Sequence, residues 1–392
     1  MDYSKIICKT VQRVPPSGIR KYFDLLTDKT ISLGVGEPDF PTPERIRKAA
    51  LEKLSVGRIP YSSNSGIPEL RSLCVQYLKE RFSLQYEVPN ILITVGASQA
   101  IDLSFRAILN PGDEVIVPEP TYVAYLPDVQ FAGGVPVPVV TTQEHRFKLT
   151  PEALKAAITP KTKALLLPFP NNPTGGIMEL EDLEKIADII RGTDIMIVSD
   201  EIYAELTYND KHHVSIASLP GMWERTIVLN GFSKSFSMTG WRVGFAAGPK
   251  EIIAAMMKIH QLTMLSAPTP GQYAAIAGIE QGLEDNWHDM YAMLNEYAKR
   301  RRYLVDAFNE IGLICNEPEG AFYAFPSIKK SGLSSEEFCD KLLAQYDVCV
   351  VPGTAFGPSG EGYIRCCYAT SMEDLKEAVR RITEFLKGLG KL

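Results

Sequence analysis

Residues Thr226–Phe245 read TIVLNGFSKSFSMTGWRVGF. The apolar run Ile227–Leu229 is typical of a buried strand in a parallel sheet. After it comes a loop of small residues that carries Lys234 between two serines, and Arg242 follows eight residues after the lysine. In an open α/β sheet, ligands bind at the edge where such strands end. A lysine at that edge can form a Schiff base while hydroxyls and an arginine hold an anion, whereas a lone loop lysine is usually just a solvated charge.

Length and composition predict an ordinary globular protein. The 392 residues suffice for two domains or for one large domain with a smaller satellite. Hydrophobic residues make up 45% and charged residues 22%, and the net charge is −6. The basic run Lys299–Arg302 lies in a helical pattern, so we interpret it as a solvated helix face and expect no nucleic-acid binding.

Cysteine usage and hydropathy bear on location. Seven scattered cysteines without a CxxC pair indicate reduced thiols in the cytosol. The N-terminal sequence MDYSKIICKT lacks the apolar core of a signal peptide, and no run of eighteen apolar residues occurs. We therefore expect a soluble cytoplasmic protein that does not enter a membrane.

Strand and helix patterns alternate along the first two thirds of the chain, which predicts a largely parallel sheet flanked by helices. Beyond a long helix near 285–311 the pattern changes to short strands and helices, which suggests a smaller α+β domain. We expect an N-terminal segment, 1–45, that packs on this small domain, a large domain, 46–284, and the small domain, 285–392. The predicted strands of the large domain are 91–95, 114–117, 135–140, 164–167, 194–198 and 227–229.

Four of these predicted strands are followed by unusual polar groups. One leads into Gly96-Ala97-Ser98, where free N–H groups at a helix start would make an anion site. Others lead to Asn172, Asp200 and Lys234. A helix cap or a turn explains each of the first three in isolation. Their coincidence at one sheet edge indicates a ligand site.

The motifs SKSFSMTGWR, NNPTG, SDEIY, EPTY and GEGYIR are similar to those of a known family. The chain resembles the class I and II pyridoxal-phosphate aminotransferases, of aspartate aminotransferase fold type I, over essentially its whole length. The resemblance implies a mostly parallel seven-stranded sheet in the large domain and a homodimer. The segments NGFSK and SGIRK look most like bacterial and archaeal enzymes that act on aromatic or aspartate-type amino acids.

The resemblance also implies roles for individual residues. Lys234 would hold pyridoxal 5′-phosphate covalently and shuttle a proton, Asp200 would pair with the pyridine nitrogen, and Tyr203 would bond the ring's 3′ oxygen. Tyr61 would reach the phosphate in the neighbouring subunit's active site. The other implied cofactor contacts are Ala97, Ser98, Tyr122, Asn172, Ser233 and Arg242, and the implied substrate contacts are Gly36, Ile19, Asn172 and Arg365.

The implied activity moves an amino group from an L-amino acid to a 2-oxo acid such as 2-oxoglutarate through the pyridoxamine form of the cofactor. The donor would be aromatic, aspartate-type or a related amine-bearing metabolite such as an N-acyl diaminopimelate. Two departures matter: Gly231 stands where aspartate-specific enzymes commonly carry a hydroxyl, and Ser98 stands where some carry a lysine for a second carboxylate.

Three other functions stay open on the sequence. A carbon–sulfur lyase of the same fold would use the same lysine and aspartate. A regulator that uses the fold as a ligand sensor would usually carry an added DNA-binding module, and a cofactor-free nucleotide-binding protein would leave Lys234 incidental. The five histidines show no metal-ligand spacing, so we expect no metal, and His212 and His213 are interpreted as solvated.

Overall fold

The computed structural model describes residues 1–392, which form twelve strands and thirteen α-helices. The strands are β1 (Ile31–Ser32), β2 (Ile91–Thr94), β3 (Glu114–Glu119), β4 (Val135–Val140), β5 (Thr162–Leu167), β6 (Met196–Asp200), β7 (Thr226–Gly231), β8 (Gly244–Ala247), β9 (Tyr323–Ala324), β10 (Val348–Cys349), β11 (Val351–Pro352) and β12 (Ile364–Cys367). The helices are α1 (Lys9–Arg13), α2 (Arg20–Phe23), α3 (Glu44–Ser55), α4 (Pro68–Phe82), α5 (Gly96–Ile108), α6 (Tyr125–Phe131), α7 (Pro151–Ala157), α8 (Leu180–Ile190), α9 (Lys250–Thr263), α10 (Thr269–Asp285), α11 (His288–Glu310), α12 (Ser335–Tyr346) and α13 (Met372–Gly388).

Seven strands form the large sheet, in the order β2-β8-β7-β6-β5-β3-β4. Strand β8 runs antiparallel to both of its neighbours, and the other pairs are parallel. The prediction of a mostly parallel seven-stranded sheet is therefore confirmed. The residue pattern had not indicated β8, because its four residues, Gly-Phe-Ala-Ala, are mostly of types that are depleted in strands.

Both faces of this sheet are covered, which explains why its strands are continuous apolar runs. Consecutive residues of one strand, such as Leu165 and Leu166, fall into different core clusters on opposite faces. Helices α5 and α9 pack on one face, α7 and α8 on part of the other, and α4 and α10 on the rest of it. The sheet is thus held rigidly, and its carboxyl edge can position side chains.

The small domain is built on the antiparallel sheet β11-β12-β9. Its core cluster also includes residues of α11, α12 and α13. The N-terminal segment joins this cluster: β1 pairs with β10, Tyr22 and Leu33 are buried in it, and Tyr22 Oη donates to Asp340 at 3.0 Å. The division of the chain at residues 45 and 284 stays a prediction, which these contacts support.

Two interpretations of charged residues as solvated were wrong in part, because Lys299, Arg302 and His212 are exposed but their neighbours are not. Arg301 is fully buried and pairs with Glu317 at 2.9 Å, and Arg300 pairs with Asp39 at 2.7 Å, so half of the basic run faces the protein interior. His213 likewise lies 3.0 Å from the buried Glu201. Helix α11 packs against other elements on more than one side, which the periodicity alone does not reveal. None of the helices combines the length and apolar character needed to span a membrane.

Candidate active site

A cleft of about 580 Å³ opens at the carboxyl edge of the large sheet, where β12 and the N-terminal segment also contribute. The ends of β2, β5, β6 and β7 supply the polar groups that the sequence placed there. The cleft brings together every predicted site residue except Tyr61: Ile19, Gly36, Ala97, Ser98, Tyr122, Asn172, Asp200, Tyr203, Ser233, Lys234, Arg242 and Arg365.

Lys234 follows β7 and points its amine across the cleft. Its Nζ donates a 2.7 Å hydrogen bond to the carbonyl of Gly36, in the N-terminal segment. The amine also lies over the rings of Tyr203 and Phe322, at 5.8 and 5.6 Å. Burial lowers the pKa of Lys234 to about 8. A substantial neutral fraction near pH 8 makes this amine a competent nucleophile and base.

Asp200 is the last residue of β6 and is almost fully buried. Its Oδ2 accepts a hydrogen bond from Tyr125 Oη at 2.7 Å, and its Oδ1 accepts one from the Ile202 N–H at 3.1 Å. Burial raises the pKa of Asp200 to about 6, although the two hydrogen bonds oppose that shift. A carboxylate held this way is suited to pair with a buried cationic ring nitrogen.

Tyr203 and Asn172 lie between the lysine and the small domain. The hydroxyls of Tyr203 and Tyr323 are 2.9 Å apart. Asn172 accepts a 3.0 Å hydrogen bond on Oδ1 from Arg365 Nη1, which leaves its Nδ2 group able to donate into the cleft. Burial raises the pKa of Tyr203, so its hydroxyl stays protonated as a donor.

One end of the cleft is an anion site. Helix α5 begins there, and the N–H groups of its first turn, including those of Ala97 and Ser98, have no partner within the helix. Arg242 lies against the helix start, since a Cβ atom at Gly96 would come within 2.8 Å of its Nη2. The buried Ser233 adds a hydroxyl. A phosphate group satisfies this set of donors.

Arg365, fully buried in β12, forms a second anion site. Its guanidinium lies over the rings of Tyr323 and Phe356, at 4.5 and 4.9 Å, and its Nη2 donates to the Gly34 carbonyl. Its Nε has no hydrogen-bond partner. Because an unpaired donor on a buried charge is costly, the arrangement is suited to receive a carboxylate.

Tyr61 stands apart from the cleft. Its side chain is 82% exposed, and it is absent from the cleft lining. Within one protomer, it contributes nothing to the site.

Tyr125 and Tyr323 are site residues that the sequence reasoning missed. Both belong to the cleft lining and contact a predicted site residue directly. The chain has 17 tyrosines, and neither spacing nor neighbours distinguish Tyr323 from tyrosines of the core. Tyr125 had a signal, since it lies three residues after Tyr122 in TYVAY.

The residues present fit pyridoxal phosphate. A buried amine, a buried carboxylate and a phosphate-type anion site share one cleft, at Lys234, Asp200 and the start of α5. The half-buried ring of Tyr122 packs edge-on against Tyr125 at 5.5 Å and is available to cover an aromatic ring. No group of three or more His, Cys, Asp or Glu side chains is placed to hold a metal ion.

Comparisons with known proteins agree with this geometry. The family described as aminotransferase class I and II matches residues 28–382. The chain is 53% identical to YugH of Bacillus subtilis over 96% of this chain and 97% of that protein, and 46% identical to the aspartate aminotransferase of Pyrococcus abyssi over 95% and 96%. The crystal structure of the aromatic aminotransferase from Pyrococcus horikoshii superposes with a TM-score of 0.90 at 43% identity, covering 95% of this chain and all of that one. The chain therefore belongs to the class I and II aminotransferases and is a pyridoxal-phosphate-dependent transaminase.

Proposed function

We propose that the protein transfers the amino group of an aromatic or aspartate-type L-amino acid, or of a related amine metabolite, to a 2-oxo acid such as 2-oxoglutarate. The observation that carries this proposal is the arrangement of the cleft. Lys234 lies in one cleft with two separate anion-binding groups, Arg242 at the start of α5 and Arg365 in β12. One group suits a cofactor phosphate and the other a substrate carboxylate. The names of the Pyrococcus relatives support the donor class.

The proposed residue roles follow from the contacts. Lys234 holds the cofactor covalently and, once released, carries a proton to and from the substrate's Cα. Asp200 holds a proton on the ring nitrogen, so that the bound cofactor can accept the electrons left when the Cα proton departs. Tyr203 and Asn172 donate to the ring's 3′ oxygen. Ala97, Ser98, Ser233 and Arg242 hold the phosphate, and Tyr122 covers the ring face.

Substrate contacts come from the other side of the cleft. Arg365 grips the α-carboxylate, because its unpaired Nε and planar fork suit a two-oxygen anion. Gly36 lies in the cleft lining, where we expect its backbone to approach the substrate, and a Cβ there would meet Tyr323 Oη at 2.5 Å. Ile19 lies at the cleft wall, where the family resemblance places a segment that closes over the site.

We also propose a homodimer in which Tyr61 completes the neighbour's phosphate site. Tyr61 belongs to an exposed apolar surface that we call the α3–α9 patch: Leu51, Val56, Ile59, Tyr61, Leu262, Met264 and Leu265. The two parts of this patch are tied together, since Asn64 donates to the Leu265 carbonyl at 2.7 Å. Exposed apolar groups of this extent mark interaction surfaces.

The cytoplasmic location stays a prediction.

A half-reaction screen tests the donor class. Protein loaded with pyridoxal phosphate is mixed with single amino acids and no acceptor, and the visible band of the bound cofactor is followed. We expect aromatic and aspartate-type donors to convert the cofactor to its pyridoxamine form, and the Lys234→Ala variant to show no conversion. Accumulation of pyruvate and ammonia from cysteine-type substrates would instead support the lyase.

A further inference from the structure

A second cavity, of about 390 Å³, lies against the loop that carries Lys234. The loop residues Ser235 and Ser237 line one side of it, and the end of α10 and the start of α11 line another. The cavity shares no lining residue with the active-site cleft. Its volume is near the lower end of the range of about 300–1,000 Å³ that small-molecule pockets occupy, which suits a ligand with one ring.

The turn between α10 and α11 brings two carboxylates to this cavity. Asn286 and Trp287 both adopt the left-handed backbone conformation, with φ of 57° and 61°, so the chain reverses between Asp285 and Asp289. Gln281, one turn before Asp285 on α10, holds the two acids together. Its Nε2 donates to Asp289 Oδ2 at 2.7 Å and to Asp285 Oδ2 at 3.2 Å.

The cations near these two carboxylates leave their charge available. Arg45 is the only lysine or arginine in the lining, and it pairs with Glu284, which lies outside the lining. The exposed His288 is the only side chain of the basic types close to Asp289, with Nδ1 and Oδ1 3.5 Å apart. No group of three or more His, Cys, Asp or Glu side chains is placed to hold a metal ion. The cavity therefore suits an organic cation.

Two buried polar atoms of the lining have no hydrogen-bond partner. Gln281 Oε1 is one of them, because the Nε2 of the same amide is turned to the carboxylates. As an acceptor it needs a donor, and an ammonium group can donate to it and to the carboxylates at once. Ser235 Oγ is the other, in a residue that is only 4% exposed. Unpaired buried polar atoms cost free energy, so each marks a position for a polar ligand group.

We propose that this cavity is a second ligand site, which binds an arylalkylammonium ion: a primary amine joined through a short chain to a hydroxylated aromatic ring. The ammonium group donates to Gln281 Oε1 and faces the carboxylates of Asp285 and Asp289. The ring hydroxyl pairs with Ser235 Oγ. The ring packs on the apolar part of the lining: Phe40, Phe236, Trp287, Met290 and Met293.

The charges of the cavity exclude amino acids from this site. A carboxylate on the ligand would be repelled by Asp285 and Asp289 and would find no free cation, since Arg45 is already paired. The ligand is therefore an amine that lacks the α-carboxylate of the proposed substrates. The inference goes beyond the proposed function, because none of the residues assigned to transamination lines the cavity.

The proposed dimer leaves this cavity open. None of its lining residues belongs to the α3–α9 patch. The cavity lies at the start of α3, at Glu44, whereas the patch extends past the end of that helix, to Val56 and beyond. At a rise of 1.5 Å per residue, these two ends of the helix are about 18 Å apart.

The test is calorimetric titration of tyramine into the cofactor-loaded enzyme after borohydride reduction. Reduction fixes the cofactor on Lys234, so that it cannot react with the added amine. The reference ligand is 2-(4-hydroxyphenyl)ethanol, in which a neutral hydroxyl replaces the ammonium group. We expect tyramine to bind at least about 10-fold more tightly than the alcohol, because the ammonium makes charged hydrogen bonds. High salt should reduce this difference.

Variants locate the bound amine. The double variant Asp285→Asn with Asp289→Asn should weaken tyramine binding about 3- to 30-fold, since both carboxylates are exposed on one side. Ser235→Ala should weaken it about 2- to 10-fold, as expected for one neutral hydrogen bond. Asp306→Asn is the matched control: Asp306 is an exposed acid on α11 outside the lining, and its replacement should change the affinity by less than about twofold.

Four results would overturn the inference. The first is that tyramine does not bind, and the second is that tyramine and the alcohol bind equally well. The third is an unchanged affinity in both the double aspartate variant and Ser235→Ala. The fourth is displacement of tyramine by glutarate, a dicarboxylate suited to the anion-binding groups of the cleft, because it would place the amine in the cleft. Donor conversion by the unreduced enzyme tests the proposed function separately.

Discussion

Tyr125 Oη donates a 2.7 Å hydrogen bond to Asp200 Oδ2, and it is the only side chain that hydrogen-bonds this carboxylate. Without that donor, the buried charge would rest on one backbone N–H. The tyrosine therefore helps to keep Asp200 ionised in a site whose burial favours the protonated form. In the proposed mechanism, an ionised Asp200 is the condition for a protonated ring nitrogen.

The first prediction concerns the pH dependence of stability. The pKa of Asp200 is raised from 3.8 to about 6 in the folded protein, so the folded state binds this proton more tightly than the unfolded state. The stabilising contribution of this proton on Asp200 is fully present below pH 4 and is lost as the pH rises through 6. Relative to Asp200→Asn, the cofactor-free protein should lose up to about 3 kcal/mol of unfolding free energy between pH 4 and 7.

Denaturant unfolding at several pH values measures this difference, and Tyr125→Phe extends the test. Because the tyrosine's hydrogen bond lowers the pKa of Asp200, its removal should move the window to higher pH. Stability curves of the wild-type protein and Asp200→Asn that run parallel from pH 4 to 7 would contradict the burial argument.

The second prediction concerns the contact between Gly36 and Tyr323. Gly36→Ala would place a Cβ 2.5 Å from Tyr323 Oη, so the hydroxyl that bonds Tyr203 must move. We expect kcat/KM to fall about 10- to 100-fold, as for the loss of one well-placed group. In the double variant with Tyr323→Phe, the clash is relieved and part of the activity should return.

Gly240→Ala is the matched control for that change. Gly240 also lines the cleft, but an added Cβ there meets nothing within 4 Å. It should therefore leave kcat/KM nearly unchanged. If both glycine variants lose activity equally, the cleft does not tolerate an added methyl group at either position, and the effect of Gly36→Ala does not come from Tyr323.

Local patterns predicted much of the fold. The residue pattern alone predicts a helix at Pro68–Phe82, the observed α4, because a proline stands in its first turn and apolar residues recur at helical spacing. The pattern does not predict α10, because its glycines lower helix propensity. Packing requires one of them: a Cβ at Gly282 would come within 2.1 Å of the Trp287 ring. That glycine makes room for a side chain only five residues further on, where the chain turns from α10 into α11, and helix propensity takes no account of such a contact.

The candidate site likewise contains residues that the sequence predicts and residues that it does not. Lys234, Asp200 and Asn172 were predictable because each follows a buried strand, and parallel strands end at one sheet edge. The partners that tune them were not predictable. Tyr125 lies 75 residues from Asp200 in sequence, and Tyr323 lies 120 residues from Tyr203. Those contacts depend on how helices and domains dock.

The third prediction concerns Arg365. Arg365→Ala should raise KM for every amino donor by at least about 30-fold, because the loss of a buried charged contact costs about 2–5 kcal/mol. Arg365→Lys keeps the charge but not the fork, so its loss should be smaller but clear. Since Arg365 also holds Gly34 and Asn172, the melting temperature of each variant must be measured as well. Unchanged KM values with a normal melting temperature would refute the carboxylate assignment.

The fourth prediction uses hybrid dimers to test whether Tyr61 acts across the interface. In the proposed dimer, each site takes Lys234 from one subunit and Tyr61 from the other. The Lys234→Ala subunit lacks the catalytic lysine. The Tyr61→Ala variant should bind pyridoxal phosphate more weakly, because it loses a hydrogen bond to the phosphate. A hybrid of the two variants contains one site with both wild-type residues and one site with neither.

The hybrid should therefore show wild-type cofactor affinity and turnover at half of its sites. If Tyr61 acted within its own subunit, every site of the hybrid would carry one substitution, and no wild-type site would appear. Differently tagged variants, co-expressed and purified through both tags, allow cofactor titration and the half-reaction to be measured on the hybrid alone. A wild-type chain that is monomeric by light scattering would exclude this arrangement, and the exposure of the α3–α9 patch would then need another partner.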